Sequence, residues 1–188
     1  MRIFISGGCK NGKSTYAQSF AAAQREEGQE LYYIATMVPR DAEDRDRILR
    51  HQAERAGQGF DTLEIPGGIE SCIPMLGEGA SVLLDSATAL LANEMFRDDG
   101  SVDSGAAERV ASGLEALVSS LSNIVVVSDA LYSDAFLYDE LTEEYRCGLS
   151  LIDKTLARCC EVVLEACFGT LVAHRGAELL KGAGHEIY

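Results

Sequence analysis

Short apolar runs recur along the chain at 3–5 (Ile3-Phe4-Ile5), 31–35 (Leu31-Tyr32-Tyr33-Ile34-Ala35), 81–85 (Ser81-Val82-Leu83-Leu84-Asp85) and 124–129 (Ile124-Val125-Val126-Val127-Ser128-Asp129). Runs without polar alternation predict strands buried on both faces, as in a parallel sheet. Residues 60–65, 161–167 and 170–173 predict further short strands, the last two around a Phe168-Gly169 turn. Between the runs the apolar positions change to a helical period. Residues 15–24 place Ala17, Phe20, Ala21 and Ala22 in a helix-compatible stretch. Residues 41–55 are strongly charged, with Ile48, Leu49, Ala53 and Ala56 as a thin apolar stripe. Residues 69–76 and 87–96 predict a short helix and a longer one. Residues 106–121 carry Val110, Leu114, Leu117, Val118 and Leu121 on one side. Residues 137–158 form a long helical region with Gly148 as a weak point. The segment 176–188 reads as a polar tail.

Strands alternating with helices from end to end predict a doubly wound, mostly parallel α/β sheet with helices on both faces. No repeat, low-complexity segment or linker interrupts it, so residues 1–188 are expected to form a single domain. Ligands of such folds bind at the carboxyl ends of the strands. The residues that fall there are the glycine-rich stretch after the first strand, Thr36, Asp85 and Asp129.

That glycine-rich stretch is Gly7-Gly8-Cys9-Lys10-Asn11-Gly12-Lys13-Ser14, followed by Thr15. It has the G-x-x-x-x-G-K-S spacing of a Walker A phosphate loop, between a strand and a helix as the chemistry requires. Glycines let successive backbone N–H groups converge on one anion. The helix N-terminus adds its positive end. Lys13 would reach the β- and γ-phosphates of a nucleoside triphosphate, and the Ser14 hydroxyl would ligate Mg²⁺.

Charge narrows the partners. Lys and Arg number 16 against 30 Asp and Glu, for a net charge of −14. A surface that acidic repels nucleic acid and anionic lipid. Loop amides, Lys13 and Mg²⁺ must therefore hold a polyanionic nucleotide against the overall field. No apolar run approaches membrane-spanning length. The chain opens on a strand, with no room for a signal peptide, and a cytoplasmic location is expected. The cysteines (Cys9, Cys72, Cys147, Cys159, Cys160, Cys167) form no C-x-x-C pair and suit buried thiols in a reducing compartment, except Cys9, which lies inside the phosphate loop.

Asp85 and Asp129 both follow apolar residues at strand ends, where a carboxylate can hold Mg²⁺. Asp85 could equally cap the helix beginning near Ala87. Arg47, His51 and Arg55 are spaced by four residues and share one helix face. They form either a nucleophile between two phosphate-holding cations or a solvated charged face. His174 and His185 read as structural or tail residues.

Together these residues resemble the adenosylcobinamide kinase / adenosylcobinamide-phosphate guanylyltransferase family, from Arg2 to about Gly169. The resemblance rests on the phosphate loop, Tyr33-Ile34-Ala35-Thr36, Arg47-Ile48-x-x-His51 with Arg55, Phe60-x-Thr62-x-Glu64, and Leu83-Leu84-Asp85-Ser86-x-Thr88 with Asn93. It implies a RecA-like P-loop fold, a trimeric assembly and two reactions. A nucleoside triphosphate, ATP or GTP, phosphorylates adenosylcobinamide; GTP then passes GMP to an enzyme histidine and on to the cobinamide phosphate. His51 matches that histidine, and Lys13 joins it as catalytic. Nucleotide binding carries over to residues 7–15, Arg47, Arg55 and Glu64, and Mg²⁺ binding to Ser14 and Asp85. The chain departs where the family reads Asn-Glu-Val-Gly, having Asp129-Ala130-Leu131-Tyr132. It departs again at an Asn-Gln pair, having Asp153-Lys154 after a small insertion. Two other readings stay open: a monofunctional P-loop small-molecule kinase and a nucleotide-dependent regulatory protein.

Overall fold

The computed structural model describes residues 1–180, the side chains of Arg47 and Glu54 excepted. Its strands are β1 (Arg2–Gly7), β2 (Leu31–Ala35), β3 (Asp61–Glu64), β4 (Ser81–Asp85), β5 (Asn123–Val127), β6 (Val162–Cys167) and β7 (Thr170–Arg175). They form one seven-stranded sheet in the order β3-β2-β4-β5-β1-β6-β7. Every pairing is parallel except the β6–β7 hairpin, which is antiparallel. The helices are α1 (Lys13–Gln24), α2 (Ala42–Glu54), α3 (Ala87–Met95), α4 (Ala106–Ser120) and α5 (Glu140–Cys159). Short 3-10 helices span Ile69–Met75 and Ala177–Leu180. None of these helices is long and apolar enough to cross a membrane.

The apolar runs without alternation do what their pattern requires: successive residues feed opposite cores. On one face Phe4, Tyr32, Ile34, Val82, Leu84, Ile124 and Val126 pack beneath α3, α4, α5 and the first 3-10 helix. On the other Ile3, Ile5, Leu31, Tyr33, Leu83, Val125 and Val127 pack against Ala17, Phe20 and Ala21 of α1, with Leu171 and Leu180 closing the edge. Both faces of the central strands are thus removed from water, at roughly 25 cal/mol per Å² of apolar surface.

Register aligns the functional ends. Ala35 pairs with Glu64 on one side and Asp85 on the other; Asp85 pairs with Val127, and Val127 with Ile5. Glu64, Asp85 and the entry to the phosphate loop therefore belong to one edge of the sheet. Side chains bind this edge together. Thr36 Oγ1 donates to the Ser86 carbonyl and accepts from the Ser86 N–H, both at 2.8 Å. Asn93 Nδ2 donates to the carbonyls of Thr36 (2.7 Å) and Pro66 (3.1 Å).

Several elements differ from their expected form. α2 does not bury the stripe Ile48, Leu49, Ala53, Ala56: Leu49 is 61% exposed, Ala53 and Ala56 are exposed, and Ile48 is half-buried. The helix lies across the carboxyl edge and not on a sheet face, so it has no core to meet. β5 ends at Val127, leaving Ser128 and Asp129 beyond the ladder. α5 starts at Glu140, later than expected, because Asp139 caps it by accepting from the Thr142 N–H at 3.0 Å. The tail is not wholly polar surface, since Leu180 is buried; residues 181–188, with His185, lie outside the described residues. Of the cysteines only Cys72 and Cys160 are buried, while Cys9 and Cys147 are exposed. Burial pushes the Cys160 thiol up to about 12.

Gly7 ends β1 at φ +149°, and a Cβ there would lie 2.4 Å from the Ala166 carbonyl oxygen. Neither the backbone conformation nor the neighbouring strand has room for a side chain. Gly7→Ala is expected to cost about 2 kcal/mol or more, lowering Tm by roughly 4–8 °C. A melting temperature within about 1 °C of wild type would contradict this account of the β1–β6 contact.

Candidate active site

The phosphate loop leaves β1 at Gly7 and enters α1 through Gly12, which adopts the left-handed φ of +80°. α1 begins with no side-chain cap and no acid in its first turn. Its orphan N–H groups and dipole end are thereby left for an anion. Lys13 is only 6% exposed. Its Nζ donates to the Gly8 carbonyl at 2.6 Å and pairs with Asp129 Oδ1 at 2.7 Å. Asn11 Nδ2 donates to the Ala166 carbonyl at 3.3 Å, tying the loop to β6. Residues 9–15 line a cavity of about 530 Å³ together with Arg50, His51, Asp85, Ser86 and Asp129.

The two candidate strand-end acids have different neighbours. Asp129 faces Lys13. Its N–H donates to Thr88 Oγ1 at 2.8 Å, and the next N–H, of Ala130, donates to the Gly7 carbonyl at 3.0 Å. Asp85 accepts from the Tyr33 hydroxyl at 3.2 Å, and its Oδ2 lies 3.6 Å from His51 Nδ1. Asp85 is not the cap of α3: Ser86 is, its Oγ accepting from the Ala89 N–H at 3.3 Å. The carboxylate is therefore free to face the cavity.

A second cavity of about 500 Å³ opens on the other side of Asp85. Its walls include Tyr33, Met37, Ile48, Arg55, Thr62 and Glu64, and His51, Asp85 and Ser86 line both cavities. His51 therefore stands at their seam. Arg55 is buried, 7% exposed, although it belongs to a charged helix end. Its guanidinium lies 3.8 Å from the centroid of the Tyr33 ring, a cation–π contact, and Nη2 donates to Thr62 Oγ1 at 3.4 Å. Its Nη1 is buried with no partner among the described residues. Arg55 thus lines the second cavity. Arg47 belongs to α2, and its side chain lies outside the described residues.

Behind Asp129 lies a buried carboxyl. Asp153 of α5 accepts from the Tyr132 hydroxyl at 2.8 Å and from Ser6 Oγ at 3.5 Å, while its Oδ1 has no partner among the described residues. Burial first, and the charge of Asp129 as a lesser contribution, raise its pKa to about 6 against the hydrogen bonds it accepts. The Tyr132 hydroxyl is pushed upward by its own burial and by Asp153.

Of the expected site residues, the structure gathers Cys9, Lys10, Asn11, Gly12, Lys13, Ser14, Thr15, His51 and Asp85 around one cavity, and Arg55 and Glu64 around the other. Gly7 and Gly8 shape the loop. Sequence reasoning missed Arg50, Glu43 and Asp46, which line the phosphate-side cavity. Their spacing of three, four and seven was the available signal, since it marks one helix face.

A glycine loop that carries a helix N-terminus and a lysine to the carboxyl end of a central parallel strand defines a P-loop nucleotide-binding protein. Within that class the chain belongs to the cobinamide kinase / cobinamide phosphate guanyltransferase family (CobU), whose sequence model matches residues 3–173. It is 31% identical over 180 residues to the bifunctional adenosylcobalamin biosynthesis protein CobP of Pseudomonas aeruginosa (strain PAO1), spanning 95% of this chain and 100% of that one. Among solved structures it is similar to the flagellar accessory protein FlaH of Methanocaldococcus jannaschii, with a TM-score of 0.42 at 12% identity over 99% of this chain and 81% of that one. It is also similar to an ATPase from the type III secretion system of pathogenic bacteria, with a TM-score of 0.40 at 16% identity over 87% and 50%.

The raised Asp153 pKa gives a stability prediction. The folded value of about 6 exceeds the ordinary 3.8, so the native state binds more protons between those values. Stability then falls as pH rises through that window and stays lower above it. Asp153→Asn keeps an acceptor for Tyr132 and removes the charge. It is expected to flatten the slope and gain on the order of 1–3 kcal/mol near neutral pH. Denaturant unfolding of both proteins across the window checks this. A wild type that gains stability relative to the variant as pH rises would contradict it.

Proposed function

We propose that this chain catalyses two successive steps of cobalamin biosynthesis. It phosphorylates adenosylcobinamide with ATP or GTP, then transfers GMP from GTP to the product through a guanylyl-His51 intermediate. The observation that carries this reading is the position of His51 between the cavity of the phosphate loop and the cavity of Tyr33, Arg55 and Glu64. A nucleoside triphosphate laid across the seam has its β- and γ-phosphates in the loop, its base and ribose in the second cavity, and its α-phosphorus beside the imidazole.

Ser14 and Asp85 are hard oxygen donors on one cavity, and they fit Mg²⁺ held jointly with phosphate oxygens. A bound Mg²⁺ would supply neutralisation of the phosphate charge. For the rest, the protein's own groups act by position and charge. In the kinase step the loop amides and Lys13 hold the β- and γ-phosphates while the acceptor hydroxyl attacks. In the guanylyl step the approach of Asp85 to Nδ1 leaves Nε2 for attack. A nitrogen–phosphorus bond forms at the α-phosphorus as the bond to the β-phosphate oxygen breaks and pyrophosphate leaves. A phosphate oxygen of the cobinamide phosphate then displaces the imidazole. Splitting one transfer into two in-line displacements is the benefit of the covalent intermediate.

Protein incubated with GTP labelled at the α-phosphate, and Mg²⁺, is expected to retain label through denaturation in an acid-labile, alkali-stable bond. Label at the γ-phosphate is not retained. Cobinamide phosphate discharges the label, and His51→Ala does not take it up. Wild-type protein that makes cobinamide phosphate yet takes up no label would reduce the function to a kinase.

Lys13→Ala is expected to lower phosphoryl transfer on the order of 10²–10³-fold or more. It should also lower Tm, because Asp129 is left buried without its partner. Wild-type turnover would remove Lys13 from the mechanism. Asp85→Asn is expected to raise the half-saturating Mg²⁺ concentration more than Asp129→Asn does. A larger shift for Asp129→Asn would exchange their roles.

A further inference from the structure

The kinase step requires a group that accepts the proton of the attacking hydroxyl, and a carboxylate is placed for it. Asp129 Oδ1 lies 2.7 Å from Lys13 Nζ, the cation that reaches the γ-phosphate end of a bound triphosphate. Asp85 stands at the other end, 3.6 Å from His51 and bonded to the Tyr33 hydroxyl. The two acids therefore divide the cavity: one beside Lys13, one beside the histidine. Asp129 is held from both sides by the hydrogen bond of its own N–H to Thr88 and that of the Ala130 N–H to Gly7. Its carboxylate lines the cavity and is not spent on capping a helix. The charged or titratable groups around it include Lys13 of α1, Asp153 and Tyr145 of α5, and, lining the same cavity, Asp85, His51, Arg50, Asp46, Glu43 and Lys10.

Resting on the kinase reading above, we infer that Asp129 is a catalytic residue of the phosphoryl-transfer step, the base that receives the proton of the acceptor hydroxyl. Without nucleotide its carboxylate neutralises the buried Lys13. When a triphosphate takes Lys13 over, the carboxylate lies beside the terminal phosphate, where the acceptor must arrive. The hydroxyl oxygen forms its bond to the γ-phosphorus as the bond from that phosphorus to the β-phosphate oxygen breaks. The electron pair leaves with the nucleoside diphosphate, the hydroxyl proton passes to Asp129, and water takes it up when product leaves.

The test measures steady-state phosphorylation of adenosylcobinamide by the wild type, Asp129→Asn and Asp129→Glu, with nucleotide affinity and Mg²⁺ dependence determined for each. Asp129→Asn is expected to lose ~10²–10⁴-fold in kcat, the range of general base catalysis. Its nucleotide Kd and half-saturating Mg²⁺ are expected to shift far less than that. Asp129→Glu, which keeps a carboxylate one methylene further out, is expected to retain more activity than the amide; this comparison decides the matter if the amide variant folds poorly. A kcat for Asp129→Asn within tenfold of wild type, a loss restored by excess Mg²⁺, or an amide variant at least as active as the glutamate variant would overturn the inference. Absence of phosphoryl transfer by the wild type would overturn the kinase reading and this inference with it. Wild-type transfer with an unimpaired Asp129→Asn overturns the inference alone.

Discussion

A buried ion pair, Lys13 with Asp129, joins the first turn of α1 to the end of β5. Burying two opposite charges is expensive, and the pair is tolerable only because each partner is further bonded: Lys13 to the Gly8 carbonyl, Asp129 through its N–H to Thr88. The parallel pairing of β1 with β5 is what brings the two together, since it sets Gly7 and Asp129 at the same edge of the sheet. In a chain of net charge −14 the pair keeps one cation fixed at the point where a polyanion must bind. In the proposed mechanism a triphosphate would not create that positive site; it would exchange one anionic partner of Lys13 for another.

The rest of the site follows from what lies on either side of that pair. The sheet's register carries Asp85 and Glu64 outward from the phosphate loop along one edge. α2 crosses over this edge, so its inward residues meet a cavity and not a core. This placement explains a helix with so little buried apolar surface, and it explains why His51 reaches both cavities. Arg55 closes the far side by stacking on Tyr33, a residue of β2, and so ties the end of α2 to the sheet.

Much of this was legible from residue patterns. Apolar runs without alternation located β2 and β4 to the residue and β1 and β5 to within two residues at each end, because a strand buried on both faces leaves little room for a polar side chain. The glycine, lysine and serine spacing located the phosphate loop, because few other structures need that set of residues. α2 was legible as a helix but not in its orientation: a charged helix that covers a ligand site has the same composition as one that faces water. Spacing alone left Arg55 open between a phosphate-holding cation and a solvated one for that reason, and Arg50 went unnoticed beside the more conspicuous His51. The burial of Leu180 and the cluster of Asp153, Tyr132 and Ser6 depend on long-range packing, which a local period does not encode.

The central claim is that one nucleotide spans both cavities, with Lys13 at its γ-phosphate and His51 at its α-phosphorus. A crystal structure of the protein with Mg²⁺ and a non-hydrolysable GTP analogue tests it most directly. The account predicts Lys13 Nζ on the terminal phosphates, guanosine between Tyr33 and Glu64, and an imidazole nitrogen about 3–3.5 Å from the α-phosphorus, the distance of a near-attack geometry. A nucleotide whose base lies away from the Tyr33 cavity, with His51 directed off the phosphates, would contradict it.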